Sequence, residues 1–205
     1  MISLRPDVML EPLTLVHAEL MWAWVQDPAV RDGLGLRVEP SLQYTRDWIR
    51  RALADATTRA FAILLDGRHV GNVVLDRLDA YLHTARLSVY VGLSEARGQR
   101  VGTTAVFRAA EAGFDEWELH KLWLTVHEEN TRALALYKRL GFLGIGIVTL
   151  GVVQSCAGAR AIIMPSPAGM QALVITRGHC KLRAACGLHV IEVERAVWGG
   201  PRRRW

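Results

Sequence analysis

"SVYVGLSEARGQRVGTTA", residues Ser88 to Ala105, passes from an alternating apolar stretch through two arginines and two glycines into a run with helical spacing. A strand that turns directly into a helix presents several backbone N–H groups in one direction, and the helix dipole adds partial positive charge there. Anions are welcome at such a place. Gly98 and Gly102, without Cβ atoms, let a ligand approach the backbone, while Arg97 and Arg100 offer charge-assisted hydrogen bonds, which points to a diphosphate. Two familiar phosphate motifs fail against it. A P-loop sets four residues between its glycines and a lysine ahead of Ser or Thr, whereas three residues separate Gly98 from Gly102 and Gly102 itself precedes Thr103. The G-x-G-x-x-G spacing of a dinucleotide fingerprint is absent.

Outward from the loop, "ARLSVYVG" alternates Ala85, Leu87, Val89 and Val91 with Arg86, Ser88 and Tyr90, the period of a strand. Upstream, "AFAILLDGRHVGNVVL" sets apolar runs on both sides of Asp66-Gly67, a hairpin turn signal. Before it, "LTLVHAELMWAWVQD" and "TRDWIRRALADA" read as two helices. Downstream, Val106, Ala109, Ala110, Gly113 and Trp117 mark one helix face, with Thr103 or Thr104 as its cap. "KLWLTVH" alternates as a strand, and "NTRALALYKRLGF" reads as a helix capped by Asn130 or Thr131 and ended by Gly141.

The loop resembles the acetyl-CoA loop of the GNAT N-acetyltransferase superfamily: Gln or Arg, two residues, Gly, one residue, then Gly or Ala. The resemblance extends through "ELHKLWLTVHEENTRALALYKRLGF", covers about residues 8 to 142, and is nearest the branch of ribosomal-protein N-terminal and amino-sugar N-acetyltransferases. It implies an α/β fold with a mixed, mostly antiparallel sheet flanked by helices, and acetyl-CoA held in an opening between the fourth and fifth strands. It also implies that Arg97, Gly98, Gln99, Arg100, Val101, Gly102 and Thr103 cradle the pyrophosphate. In the same way a backbone N–H near Val91 polarises the thioester, Asn130 contacts CoA, and Tyr137 protonates the departing sulfur. Two positions depart from the pattern. Arg100 occupies the internal glycine position, so either its backbone angles suit a non-glycine or the cradle is distorted; Arg86 stands where many relatives carry a glutamate base. Asp76, Asp79 and His83 are the remaining candidates for a base.

The implied activity is acetyl transfer to a primary amine, on a small molecule such as an amino sugar or on a peptide N-terminus. A non-catalytic CoA-binding or scaffold protein of the same fold is the rival. No stretch has the length and apolarity of a bilayer span, so a cytoplasmic protein is expected, with no membrane partner and room for a homodimer. The net charge of +5 divides into −1 over residues 1–142 and +6 over residues 143–205, so basic character belongs to the end of the chain, which argues against nucleic acid. Residues 1–142 thus form the acetyl-CoA-binding core, and residues 143–205 an atypical segment with two strands, at "IGIVTLGVV" and "LHVIEVERAV", and a basic tail. All three cysteines lie in that segment. The abrupt change after Phe142 is that of a shifted reading frame or a replaced end, expected to pair poorly with the sheet. His179, Cys180, Cys186 and His189 lack a standard zinc spacing, so no metal is expected.

Overall fold

A computed structural model describes residues 3–34, 36, 39–127, 129–150, 162–164, 171–173 and 186–194. The chain divides into two compact units, residues 1–122 with 194–205, and residues 123–193.

In the first unit, β1 (Val8–Pro12), β2 (Arg59–Leu65), β3 (Arg68–Asp79) and β4 (Thr84–Val91) pair consecutively and antiparallel. The β2–β3 hairpin turns at Asp66 and Gly67, both at positive φ (51° and 76°), as the Asp-Gly signal predicts. A bulge between Ile63 and Leu64 shifts the register, so that Gly71 faces Ile63 while His69 faces Leu64.

Three helices precede the hairpin where periodicity predicts two. After a 3-10 turn (Leu15–His17) come α1 (Ala18–Val25), α2 (Pro28–Gly33) and α3 (Leu42–Ala54). Helix α2, at six residues, is too short to show a period; Asp27-Pro28 announces it, the aspartate accepting from Ala29 N–H and the proline filling the first turn. Apolar residues of α1 and α3 form one core with the sheet: Leu13, Ala18, Met21, Trp24, Ile49, Ala52, Ala60, Ala62 and Val74. Burying each large aliphatic side chain there contributes roughly 1.5–3 kcal/mol. Helix α4 (Val101–Asp115) packs on β1, β3 and β4 through a face that includes Val106, Ala109, Ala110 and Phe114.

Strand β5 (Lys121–His127) begins in the first unit and continues in the second. The second unit also holds α5 (Thr131–Arg139), β6 (Leu143–Leu150), a short antiparallel pair of β7 (Ile162–Met164) and β8 (Gln171–Leu173), and most of β9 (Cys186–Glu194). Strands β6 and β9 pair antiparallel, Leu143 opposite Glu192 through Leu150 opposite Cys186. Both fall where alternation reads as a strand. His179, Cys180 and the arginine-rich tail lie outside the described residues.

Candidate active site

The loop predicted to hold phosphates closes the first unit's β4–α4 connection. Strand β4 ends opposite β3 with Val91 facing Gly71, and Gly92 and Leu93 both donate their N–H groups to the Val70 carbonyl, at 2.9 and 3.1 Å. Gly92 must be glycine: a Cβ there would fall 2.0 Å from the Trp24 ring.

From Arg97 the backbone alternates its handedness. Gly98 has φ 81° and Arg100 has φ 64°, ψ 9°, both left-handed. Such alternation turns successive N–H groups inward to form an anion-binding concavity. Arg100, not Thr103 or Thr104, is the N-cap of α4, and no side chain caps that end. The N–H groups of Val101, Gly102 and Thr103 therefore lack intrahelical acceptors, and they point out of a helix start whose dipole favours negative charge. Thr104 instead accepts from the backbone N–H of Arg5 at 3.1 Å, and Thr103 is buried. Gly98, Gln99 and Arg100 are exposed, as a phosphate-binding edge must be. The cradle fits a diphosphate.

The two arginines have different tasks. Arg97 turns away from the cradle: its Nε donates to the Val91 carbonyl at 2.9 Å, and one terminal nitrogen donates to the Gly92 carbonyl at 2.8 Å and approaches Asp27 Oδ2 at 3.4 Å. Its charge fixes the end of β4 and is not turned toward the loop, whereas Arg100 is exposed. Arg5 braces the loop from the N-terminal segment by donating to Gln99 Oε1 at 2.9 Å while paired with Asp7. Neither Arg5 nor Asp27 carries a sequence motif, and only the Asp-Pro dipeptide hints at the second.

The candidate bases are otherwise engaged. Asp76 lies opposite Arg86 in the β3–β4 register and forms a two-pronged ion pair with it. Asp79 Oδ1 accepts from the N–H groups of Tyr81 and Leu82 at 2.9 and 2.8 Å and shapes the hairpin turn. His83 is an exposed residue of that turn at φ 51°, its carbonyl accepting from His120 and Lys121.

Asn130 and Tyr137 belong to the second unit. Asn130 caps α5, its Oδ1 accepting from Ala133 N–H at 3.1 Å, so its side-chain NH2 is the part left for a ligand. "RLGF" has a geometric reason. Gly141, at φ 87°, donates to the Lys138 carbonyl, and Phe142 donates to the Tyr137 carbonyl at 3.0 Å, closing the helix in a Schellman motif. The motif's apolar contact is Phe142 against Tyr137, ring centroids 5.5 Å apart. Burial raises the Tyr137 phenol well above its ordinary value, so it holds its proton at neutral pH and suits an acid.

Among the described residues no helix is long and apolar enough to cross a membrane, and no group of three or more His, Cys, Asp or Glu side chains is placed to hold a metal.

Residues 7–143 match the acetyltransferase (GNAT) domain family. The chain is 28% identical over 146 residues to spermidine N(1)-acetyltransferase of Escherichia coli K12, covering 69% of this chain and 72% of that one. Among solved structures, spermidine N-acetyltransferase from Vibrio cholerae in complex with CoA and spermine superposes with a TM-score of 0.73 at 15% identity, covering 94% of this chain and 98% of the other. A probable acetyltransferase superposes at 0.69 with 20% identity, covering 96% and 97%. These likenesses extend the described α/β, mostly antiparallel architecture to the whole fold class.

Proposed function

The chain belongs to the GNAT acetyltransferase family, and from that premise we propose that its acceptor is an aliphatic polyamine of the spermidine type. It is an N-acetyltransferase that takes acetyl-CoA as its donor. The observation that carries the acceptor reading is the likeness to spermidine N(1)-acetyltransferase, a curated relative matched over most of both chains.

Bound acetyl-CoA supplies an activated acetyl thioester. The chain's own part is to bind, orient and protonate. The uncapped N–H groups from Val101 to Thr103, with the Gly98–Arg100 concavity, are the proposed pyrophosphate donors. The backbone N–H at Val91 is the proposed donor to the thioester oxygen, held in place by the Arg97 bonds to Val91 and Gly92. Tyr137 Oη is the proposed proton source for the departing sulfur.

Thiol release from acetyl-CoA, measured with spermidine, spermine, amino sugars and short peptides, tests the acceptor. The expected result is a kcat/KM for the polyamines at least about tenfold above the others. An amino sugar or peptide in the lead would replace the acceptor and keep the donor site. Acetyl-CoA binding without turnover on any amine would favour a scaffold role.

A further inference from the structure

In a regular strand successive N–H groups point to opposite sides, so two in a row cannot reach one acceptor. At the end of β4 they do, since Gly92 and Leu93 both donate to the Val70 carbonyl. The break in the alternation shows a second time on the acceptor side. The successive carbonyls of Val91 and Gly92 both accept from one guanidinium, that of Arg97, at 2.9 and 2.8 Å. The proposed thioester donor, the Val91 N–H, belongs to this kink, and its direction depends on how the kink is held.

Arginine is a long side chain with many rotamers, so something must favour this pose. It comes from another element. The nitrogen that bonds Gly92 also reaches Asp27 Oδ2 at 3.4 Å. Asp27 stands between α1 and α2 and is engaged with both. Its N–H donates to the Trp24 carbonyl at 3.1 Å, its Oδ1 accepts from Ala29 N–H at 2.9 Å, and its carbonyl accepts from Val30 and Arg31. Trp24, three residues earlier, fills the space that a side chain on Gly92 would need. The α1–α2 junction thus meets the kink twice, through a ring and through a carboxylate. The Arg97 and Asp27 side chains are 29% and 44% exposed, and a pair so open to water contributes at most about 1 kcal/mol to folding. That is too little to hold the fold. On a flexible arginine it is enough to favour one pose about fivefold.

We propose that Asp27 is a positioning residue for acetyl transfer: it holds the Arg97 guanidinium across the Val91 and Gly92 carbonyls and so keeps the Val91 N–H aimed where the thioester oxygen gains charge. In this role neither side chain gives or takes a proton. The inference rests on the acetyl-transfer reading and deepens it.

Asp27→Ser keeps a helix-capping oxygen and cannot reach Arg97. At saturating amine its kcat is expected to fall about threefold to fivefold, while acetyl-CoA affinity by calorimetry changes less than about twofold and the thermal midpoint barely moves. Asp27→Asn, which can still accept from Arg97 but lacks the charge, should fall between Ser and wild type. Arg97→Lys cannot span both carbonyls with a planar fork and should lose about tenfold or more. Adding Asp27→Ser to it should cost little further, because no guanidinium remains to be held. A wild-type kcat in folded Asp27→Ser, or a loss seen in acetyl-CoA affinity alone, overturns the proposal; a fully additive loss in the double variant does the same by giving Asp27 a separate task. Should the wild type acetylate no amine, hydrogen exchange at the Gly92 and Leu93 amides decides independently. Faster exchange in Asp27→Ser than in wild type supports the hold on the kink while the acetyl-transfer reading falls. Equal exchange overturns the hold as well.

Discussion

Arg100 holds a left-handed backbone conformation that glycine adopts without strain and that costs a side-chain-bearing residue about 1–2 kcal/mol. Arg100→Gly should remove that strain and return part of the gain as backbone freedom in the unfolded chain, for a net stabilisation of roughly 0.5–1 kcal/mol. A thermal melt reads it directly; a lower midpoint would mean that the arginine side chain contributes more than its backbone costs. Acetyl-CoA affinity should fall by less than about tenfold, because the backbone donors remain. The sequence marks Arg100 as a departure, but it leaves open whether the angle is normal or the cradle distorted. The angle is imposed by the turn between Gly98 and α4, and nothing in an arginine's own preferences announces it. Tyr137 differs, because its position could be read from "YKRLGF" and its geometry follows from the Schellman closure. Tyr137→Phe keeps the ring against Phe142 and removes only the hydroxyl. Its kcat is expected to drop about 10²-fold to 10⁴-fold, with acetyl-CoA affinity nearly intact. A wild-type rate would assign the proton to water or another group.

At the start of α4, the proposed phosphate site rests on N–H groups that no side chain caps. Gly102→Asp puts a carboxylate and a Cβ where the diphosphate must approach the backbone, so it should abolish measurable acetyl-CoA binding by calorimetry in a protein that remains folded. Retained affinity would place the cofactor elsewhere. Strong periods and short signals made β2, β3, β4, α4 and α5 legible: alternation, Asp66-Gly67, and a terminal Gly141. Helix α2 escaped because six residues complete fewer than two turns, and its Asp-Pro start was the sole clue. The partners of the base candidates were hidden for a related reason. Asp76 and Asp79 read as part of a connection but belong to the end of β3, and only the structure reveals that Arg86 faces Asp76 and that the Asp79 carboxylate accepts from the turn after it.

Contacts between distant stretches were beyond sequence reading altogether. His17 and His69 meet only because the turn before α1 packs on β3, and the result bears on the whole molecule's response to acid. His69 titrates near 6.5 when unfolded and near 4 when folded, lowered by burial and by His17 and partly restored by the Gly71 carbonyl, Asn72 and Glu11. Between those values the unfolded chain binds more protons, so stability is fully present above pH 6.5 and declines as pH falls toward 4. The loss is at most about 3 kcal/mol, and less to the extent that water reaches the ring. Urea midpoints at pH 7 and pH 4.5 should show it, and His69→Phe should flatten that part of the profile; an identical slope in the variant would assign the acid sensitivity to other groups.

The brace that Arg5 supplies to Gln99 and Thr104 also has a practical side. It ties the fifth residue to the loop proposed to grip acetyl-CoA and to the helix behind it, by one backbone bond to Thr104 and two side-chain bonds to Gln99. A purification tag fused ahead of Met1 would be joined a few residues from the loop proposed to hold the phosphates, and a polycationic tag is expected to compete for them there. Kinetic constants for this enzyme are therefore best taken from protein freed of N-terminal additions, with a tagged sample serving as a deliberate probe of how firmly that brace holds.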